Sequence, residues 1–122
     1  MIRGIGLDLA ETARLEKALE REVFWRRVYT EQESGFLKKK RFPAESAAGL
    51  WAAKEAALKA LGTGIGPVGL REVEVLHEPG GRPFLRFHGR ALERMEQLGV
   101  RNAFLSITHS GGVAAAQVIL EG

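Results

Sequence analysis

The sequence predicts an α+β fold in which antiparallel strands and hairpins pack on one long buried helix. Three observations carry this reading. The N-terminus alternates glycine with large apolar residues, residues 44–61 have helical periodicity without a broad polar face, and two pairs of apolar segments flank glycine-containing turns. At 122 residues, 45% hydrophobic and 27% charged, the chain reads as one domain over residues 1–122. A domain of this size buries about two-thirds of its unfolded surface and needs no covalent staple. The absence of cysteine agrees, and excludes zinc–cysteine sites, thiol nucleophiles and disulfides.

In chain order, Ile2, Ile5, Leu7 and Leu9, spaced by glycines, predict a buried strand over residues 2–9 that carries Asp8, the chain's one aspartate. Thr12 is a candidate cap for a helix whose apolar positions Leu15, Leu19 and Phe24 recur near helical spacing. Arg14, Lys17 and Arg21 share one stripe of that helix, a basic ridge. Thr30-Glu31-Gln32-Glu33 matches a capping box for a second, short helix, and Lys38-Lys39-Lys40-Arg41 then reads as a solvated turn before Pro43.

The helix over residues 44–61 is closed by Gly62 as its C-terminal cap. At about 100° per residue, Leu50, Trp51, Leu58 and Leu61 fall on one side and Ala52, Ala53, Ala56 and Ala60 on the other, so the helix is buried on most sides. Its charges, Lys54, Glu55 and Lys59, must therefore be paired, metal-bound or at a cleft. Lys54 lies within the leucine face, where a buried partner or a phosphate contact is expected. Gly62-Thr63-Gly64-Ile65-Gly66-Pro67 is a glycine-rich loop. Val73 and Val75 begin a hairpin that turns at Pro79-Gly80-Gly81-Arg82 and returns through Phe84, Leu85 and Phe87. Residues 91–98 form a short amphipathic helix ended by Gly99, and residues 103–108 and 113–120 close the fold as a hairpin around His109-Ser110-Gly111-Gly112.

No apolar run approaches the roughly 20 residues that span a bilayer, and no basic-then-apolar leader opens the chain, so a cytoplasmic location is expected. The net charge of +3 favours anionic partners, and arginine outnumbers lysine twelve to six, which suits phosphate or carboxylate recognition.

Two acids stand where acids are costly: Asp8 at the end of an apolar strand and Glu55 on an almost entirely apolar helix. Two carboxylates converging in a cleft make a hard-cation site, since Mg²⁺ takes oxygen ligands and is held by one or two carboxylates plus waters and substrate phosphates. The structural alternative has Asp8 capping the helix near Thr12 and Glu55 paired with Lys59 at i+4. The loop leaving the Glu55 helix, Gly62, Thr63 and Gly64, offers backbone N–H groups to an anion. Ser106 and His109 do not make a nucleophilic pair, because no acidic orienter accompanies them. A nucleic-acid-binding module is the rival reading of the basic balance, but the cations are not interleaved with stacking aromatics. A sugar kinase built on Gly6-Leu7-Asp8-Leu9 would need two lobes, which 122 residues cannot supply.

Three blocks, Gly4-Ile5-Gly6-Leu7-Asp8-Leu9-Ala10-Glu11-Thr12-Ala13-Arg14-Leu15, Trp51-Ala52-Ala53-Lys54-Glu55-Ala56-Ala57-Leu58-Lys59-Ala60-Leu61-Gly62-Thr63-Gly64 and Ser106-Ile107-Thr108-His109-Ser110, resemble the holo-acyl carrier protein synthases. These are the small bacterial single-domain 4′-phosphopantetheinyl transferases. Glu74-Val75-Leu76 and Gly81-Arg82-Pro83 extend the resemblance over essentially the whole chain. It implies Mg²⁺-dependent transfer of 4′-phosphopantetheine from coenzyme A to a serine of apo-acyl carrier protein, in a homotrimer with sites at subunit interfaces. By the same resemblance Asp8 and Glu55 are Mg²⁺ ligands, Lys59 lies near the transferred diphosphate, His109 lies near the 3′-phosphate of coenzyme A, and Arg14 touches the carrier protein, with Lys17 and Arg21 beside it. The general base stays open among Glu55, a metal-bound water and the incoming substrate. One departure stands out: the family often has arginine before the aromatic that here is Trp51, and this chain has Leu50, so a 3′-phosphate contact is missing or comes from the Lys38–Arg41 run.

Overall fold

The computed structural model describes residues 1–122. Strand β1 (Ile2–Glu11) is followed by helices α1 (Thr12–Ala18), α2 (Glu22–Val28), α3 (Glu31–Lys38) and α4 (Ala44–Leu61). A 3₁₀ turn at Leu70–Glu72 leads into the hairpin β2 (Val73–His77) and β3 (Pro83–Phe87), then α5 (Gly89–Leu98) and the strands β4 (Asn102–Ser110) and β5 (Val113–Glu121). All pairing is antiparallel: β5 lies between β1 and β4 in a three-stranded sheet, and β2–β3 stands apart. The predicted α+β architecture, strands and hairpins on a long buried helix, is what forms.

Helix α4 is the axis of the core, with twelve of its eighteen residues buried. It ends where expected, because Gly62 adopts the left-handed conformation (φ 75°) and its N–H closes on Leu58 and Lys59. The sheet meets α4 through glycine. A β-carbon on Gly4 or Gly6 would overlap the carbonyl oxygen of Ala60 or Ala56, so only glycine on the strand and alanine on the helix permit this approach.

That packing overturns the expected burial of Ile2, Ile5, Leu7 and Leu9, which are 57–65% exposed. Successive strand residues point to opposite faces, and the face that meets α4 is the one carrying Gly4, Gly6, Asp8 and Ala10. The large side chains are left on the outer face, in register with the outer residues of β5 and β4.

The helix expected from Thr12 through Phe24 is two helices. Thr12 does not cap it either, since the N-cap is Glu11 and no side-chain cap bond forms. Arg21 is extended (φ −105°, ψ 118°) between α1 and α2. The indole Nε1 of Trp25 donates to the Leu19 carbonyl at 2.8 Å, satisfying a group freed by the break. The turn lets Phe24 stack on Trp51 of α4, ring centroids 5.7 Å apart. The basic stripe is therefore discontinuous: Arg14 and Lys17 belong to α1, and Arg21 lies beyond its end.

The capping box at Thr30 forms as read, with Glu33 N donating to Thr30 Oγ1 and Thr30 N to Glu33 Oε1. The basic run forms the exposed turn between α3 and α4, where Lys40 and Arg41 lie over Phe36 and Phe42. No helix of the protein is long and apolar enough to cross a membrane.

Candidate active site

Asp8 points from β1 towards α4, and Lys59 comes down to meet it. The Lys59 ammonium donates to Asp8 Oδ1 and to the Leu7 carbonyl, both at 3.0 Å. Asp8 is thus not a helix cap and Lys59 is not the partner of Glu55, so both halves of the structural alternative fail. Glu55, one turn before Lys59 on α4, belongs to none of the chain's three ion pairs. Burial raises its pKa above the usual carboxylate range, and the negative charge of Asp8 adds to the rise, with Lys59 and Arg14 opposing.

Two facing carboxylates that repel each other, one half-buried without a paired cation, are a donor set suited to a small hard cation. No group of three or more His, Cys, Asp or Glu side chains converges in the chain. A cation held by Asp8 and Glu55 would complete its shell with water and substrate oxygens, as Mg²⁺ usually does.

Arg14 is exposed on α1 but leans over Trp51 of α4. Its guanidinium lies 5.9 Å from the Trp51 ring centroid and its charge is felt at Glu55, so it edges this cluster rather than an outer ridge. Lys17 and Arg21 remain exposed.

His109 lies on the same sheet face as Asp8. Asp8 pairs with Ala116 and His109 with Ala114, two strands away and two residues along, which separates them by about 12 Å from ordinary strand spacing. His109 Nε2 is 3.0 Å from the Glu45 carbonyl, so this nitrogen carries the proton and Nδ1 is left free. Gly49 makes room for the ring: a β-carbon there would come within 3.0 Å of Nε2. Beside His109 opens a pocket of about 170 Å³, lined also by Phe36, Ser46 and His77.

Two expected ligand-binding positions need correction. Lys54 is fully buried, with its ammonium 2.7 Å from Glu33 Oε1 and donating to the Leu70 and Val73 carbonyls at 2.9 and 2.7 Å. All three protons are used inside the core, leaving none for a phosphate. In the glycine loop, the N–H groups of Gly62 and Thr63 close on α4 carbonyls, so these two amides do not cradle an anion. Thr63 Oγ1, by contrast, is a buried side-chain polar atom without a hydrogen-bond partner. Sequence reasoning missed Glu33 altogether as anything more than half of a capping box.

The same fold and residue order recur in known proteins. The chain is 47% identical over 125 residues to the holo-[acyl-carrier-protein] synthase of Solidesulfovibrio magneticus, covering all of both chains. It is 44% identical to that of Alkaliphilus metalliredigens, with 98% of each covered. Its structure is similar to the crystal structure of holo-[acyl-carrier-protein] synthase from Neisseria meningitidis, with a TM-score of 0.88 and 32% identity over all of both chains. It is also similar to that from Helicobacter pylori in complex with coenzyme A, with a TM-score of 0.84 and 31% identity over 96% of this chain and 99% of that one. A family model described as the 4'-phosphopantetheinyl transferase superfamily matches residues 4–117, a span that takes in Asp8, Glu55, Lys59 and His109, and the chain belongs to that superfamily.

Proposed function

We propose that the chain, acting as one catalytic domain, transfers 4′-phosphopantetheine from coenzyme A to a serine of apo-acyl carrier protein, leaving adenosine 3′,5′-bisphosphate. The observation that carries this reading is the convergence of Asp8, Glu55 and Lys59 on a sheet face that also presents His109. Coenzyme A has a diphosphate and a separate 3′-phosphate, and this face offers one group of residues for each. Asp8 and Glu55 would hold the Mg²⁺, which when bound neutralises charge on the diphosphate. Lys59, whose side chain is 54% exposed, is free to reach a diphosphate oxygen without leaving Asp8. The candidate bases for the serine proton are Glu55, a metal-bound water and the incoming substrate.

His109 faces the 3′-phosphate side, where Nδ1 would donate to a phosphate oxygen in the doubly protonated ring, Nε2 staying on the Glu45 carbonyl. Leu50 is buried and carries no charge, so the contact absent there falls to Lys40, whose ammonium lies 4.7 Å from the ring centroid of Phe36, a wall of the same pocket. In the Gly62–Gly64 loop, the Thr63 hydroxyl would take its missing partner from coenzyme A. Mass spectrometry of added apo-carrier protein tests the activity directly. A phosphopantetheine adduct on its serine is expected with coenzyme A and Mg²⁺, and its absence sinks the reading.

Lys17 and Arg21 would meet the acidic surface of the carrier protein, and Arg14 stands between that surface and the site. Charges at an interface rim act on encounter rate and salt dependence more than on chemistry. Reversing Lys17 and Arg21 to glutamate should raise KM for carrier protein several-fold and flatten its salt dependence, with KM for coenzyme A unchanged. Kinetics at two salt concentrations decide it; an unchanged carrier KM returns these residues to plain surface.

The outer sheet face, with Ile5, Leu7 and Leu9 beside Phe104, is 48–65% exposed at these positions, which favours cover by further copies of the chain. A closed homotrimer would bury it and bring each site to a subunit boundary. Sedimentation should show a trimer that Leu7→Arg dissociates with loss of activity; a monomeric, active wild type overturns this.

A further inference from the structure

Part of the fully buried core is ionic. Glu33 and Lys54 are both 0% exposed and 2.7 Å apart. Glu33 accepts two further hydrogen bonds, from Thr30 N at 2.8 Å and Val75 N at 2.7 Å. Lys54 also donates to the Leu70 and Val73 carbonyls. One carboxylate and one ammonium thus tie together the first turn of α3, the middle of α4 and the start of β2. Burial draws the Lys54 pKa below the usual lysine range, and Glu33 is the main group opposing that fall.

Such a pair is an expensive way to add stability, because well-packed apolar side chains of similar volume often do as well or better. What it supplies here is direction. Where α4 meets β1 the contact is Ala56 and Ala60 against Gly4 and Gly6, and the long side chain that crosses it, Lys59, is itself part of the site and more than half exposed, so a buried anchor elsewhere on the helix is what holds its rotation. Lys54 precedes Glu55, so their side chains leave the helix about 100° apart. A rotation of only about 20° would carry the Glu55 carboxylate, some 7 Å from the axis, through about 2–3 Å. Metal coordination tolerates displacements about tenfold smaller.

We propose that Glu33 is a positioning residue: through Lys54 it sets the rotation of α4 and so the angle at which Glu55 and Lys59 face Asp8. The inference rests on the reading of Asp8 and Glu55 as the cation pair. Glu33 touches neither substrate nor metal, and it acts through a buried bond on a different flank of the helix from the site.

The test separates stability from geometry by replacing the whole pair. The double variant Glu33→Met/Lys54→Met leaves no buried charge unpaired, though it frees the Val75 N–H and the Leu70 and Val73 carbonyls, so its Tm should fall by less than that of either single variant. Its affinity for Mn²⁺ in the presence of coenzyme A, read from water-proton relaxation, should nevertheless fall about tenfold or more, and kcat with it, while KM for carrier protein holds. A folded double variant with wild-type Mn²⁺ affinity and kcat overturns the proposal. Should that variant fail to fold, Glu33→Asp keeps the charge and draws it back by one methylene; the same loss of Mn²⁺ affinity is expected, and a wild-type value overturns the proposal equally. Glu55→Gln in the same titration guards the premise. If it binds Mn²⁺ as the wild type does, the site reading fails and the positioning role falls with it.

Discussion

Replacing Asp8 or Glu55 by alanine is expected to lower phosphopantetheine transfer by about 10³-fold with the fold intact, because each change removes a cation ligand and not a packing group. Excess Mg²⁺ should partly rescue either single variant but not the double. Lys59→Ala belongs to the same cluster and should lower kcat by about 10²-fold with a smaller change in KM, since its charge matters most as charge develops on the leaving phosphate. The pH profile adds a sign that can be checked. Glu55 must be ionised to hold a cation, and in the metal-free site burial together with Asp8 holds its pKa above the ordinary range, so Mg²⁺ affinity should rise with pH through that raised value. Asp8→Asn removes the like charge and should move the onset of the residual Mg²⁺ binding to lower pH. The same shift makes Glu55 a destabilising group at neutral pH. A carboxyl whose pKa is higher in the folded state binds more protons there, so stability falls as pH rises through the window. Without divalent cation, Glu55→Gln should therefore raise Tm while abolishing transfer. Retained turnover in either alanine variant would remove the cluster from the mechanism.

The second large effect concerns no functional group. Gly6→Ala should destabilise the protein by about 3 kcal/mol or more, because the added methyl would overlap the Ala56 carbonyl, a backbone atom that moves only if α4 moves. For a chain of this length that corresponds to a drop in Tm of about 10 °C or more. Activity should fall with it, since Asp8 is two residues along the same strand and Glu55 adjoins Ala56. Gly35 on α3, where a β-carbon would meet nothing within 4 Å, is the control. Gly35→Ala should raise stability by roughly 0.5–1 kcal/mol through helix propensity alone. Equal Tm values for the two variants would show that the strand and helix are not locked together by close approach.

Much of the site was legible because its residues are exceptions to their surroundings. An aspartate in an apolar strand and a glutamate on an alanine helix are costly unless used, and that cost is visible without coordinates. Lys54 is an exception of another kind: of the two expectations for it, a phosphate contact or a buried partner, the structure shows the buried partner. Its partner, Glu33, precedes it by 21 residues on another helix, and only the packing of α3 against α4 and β2 brings the two together. The break between α1 and α2 was hidden for a related reason. No glycine or proline marks it, and it forms because Phe24 and Trp25 find Trp51 and the Leu19 carbonyl in three dimensions.

By itself the sequence determined what depends on near neighbours: the span and glycine stop of α4, the capping box at Thr30, the two hairpins and the identity of the unusual charges. Caps, turns and periodicity are short-range interactions, written within a few residues of where they act. The tertiary structure alone decided which face of β1 turned inward. Alternation made both faces possible, and burial of the larger residues was the natural expectation, yet α4 took the glycine face because only there can two backbones come so close. That choice put Asp8 against Glu55 and Lys59, and left Ile5, Leu7 and Leu9 on the outside. A side chain's orientation in a strand is fixed by what the strand packs against, and for β1 that neighbour lies some fifty residues away.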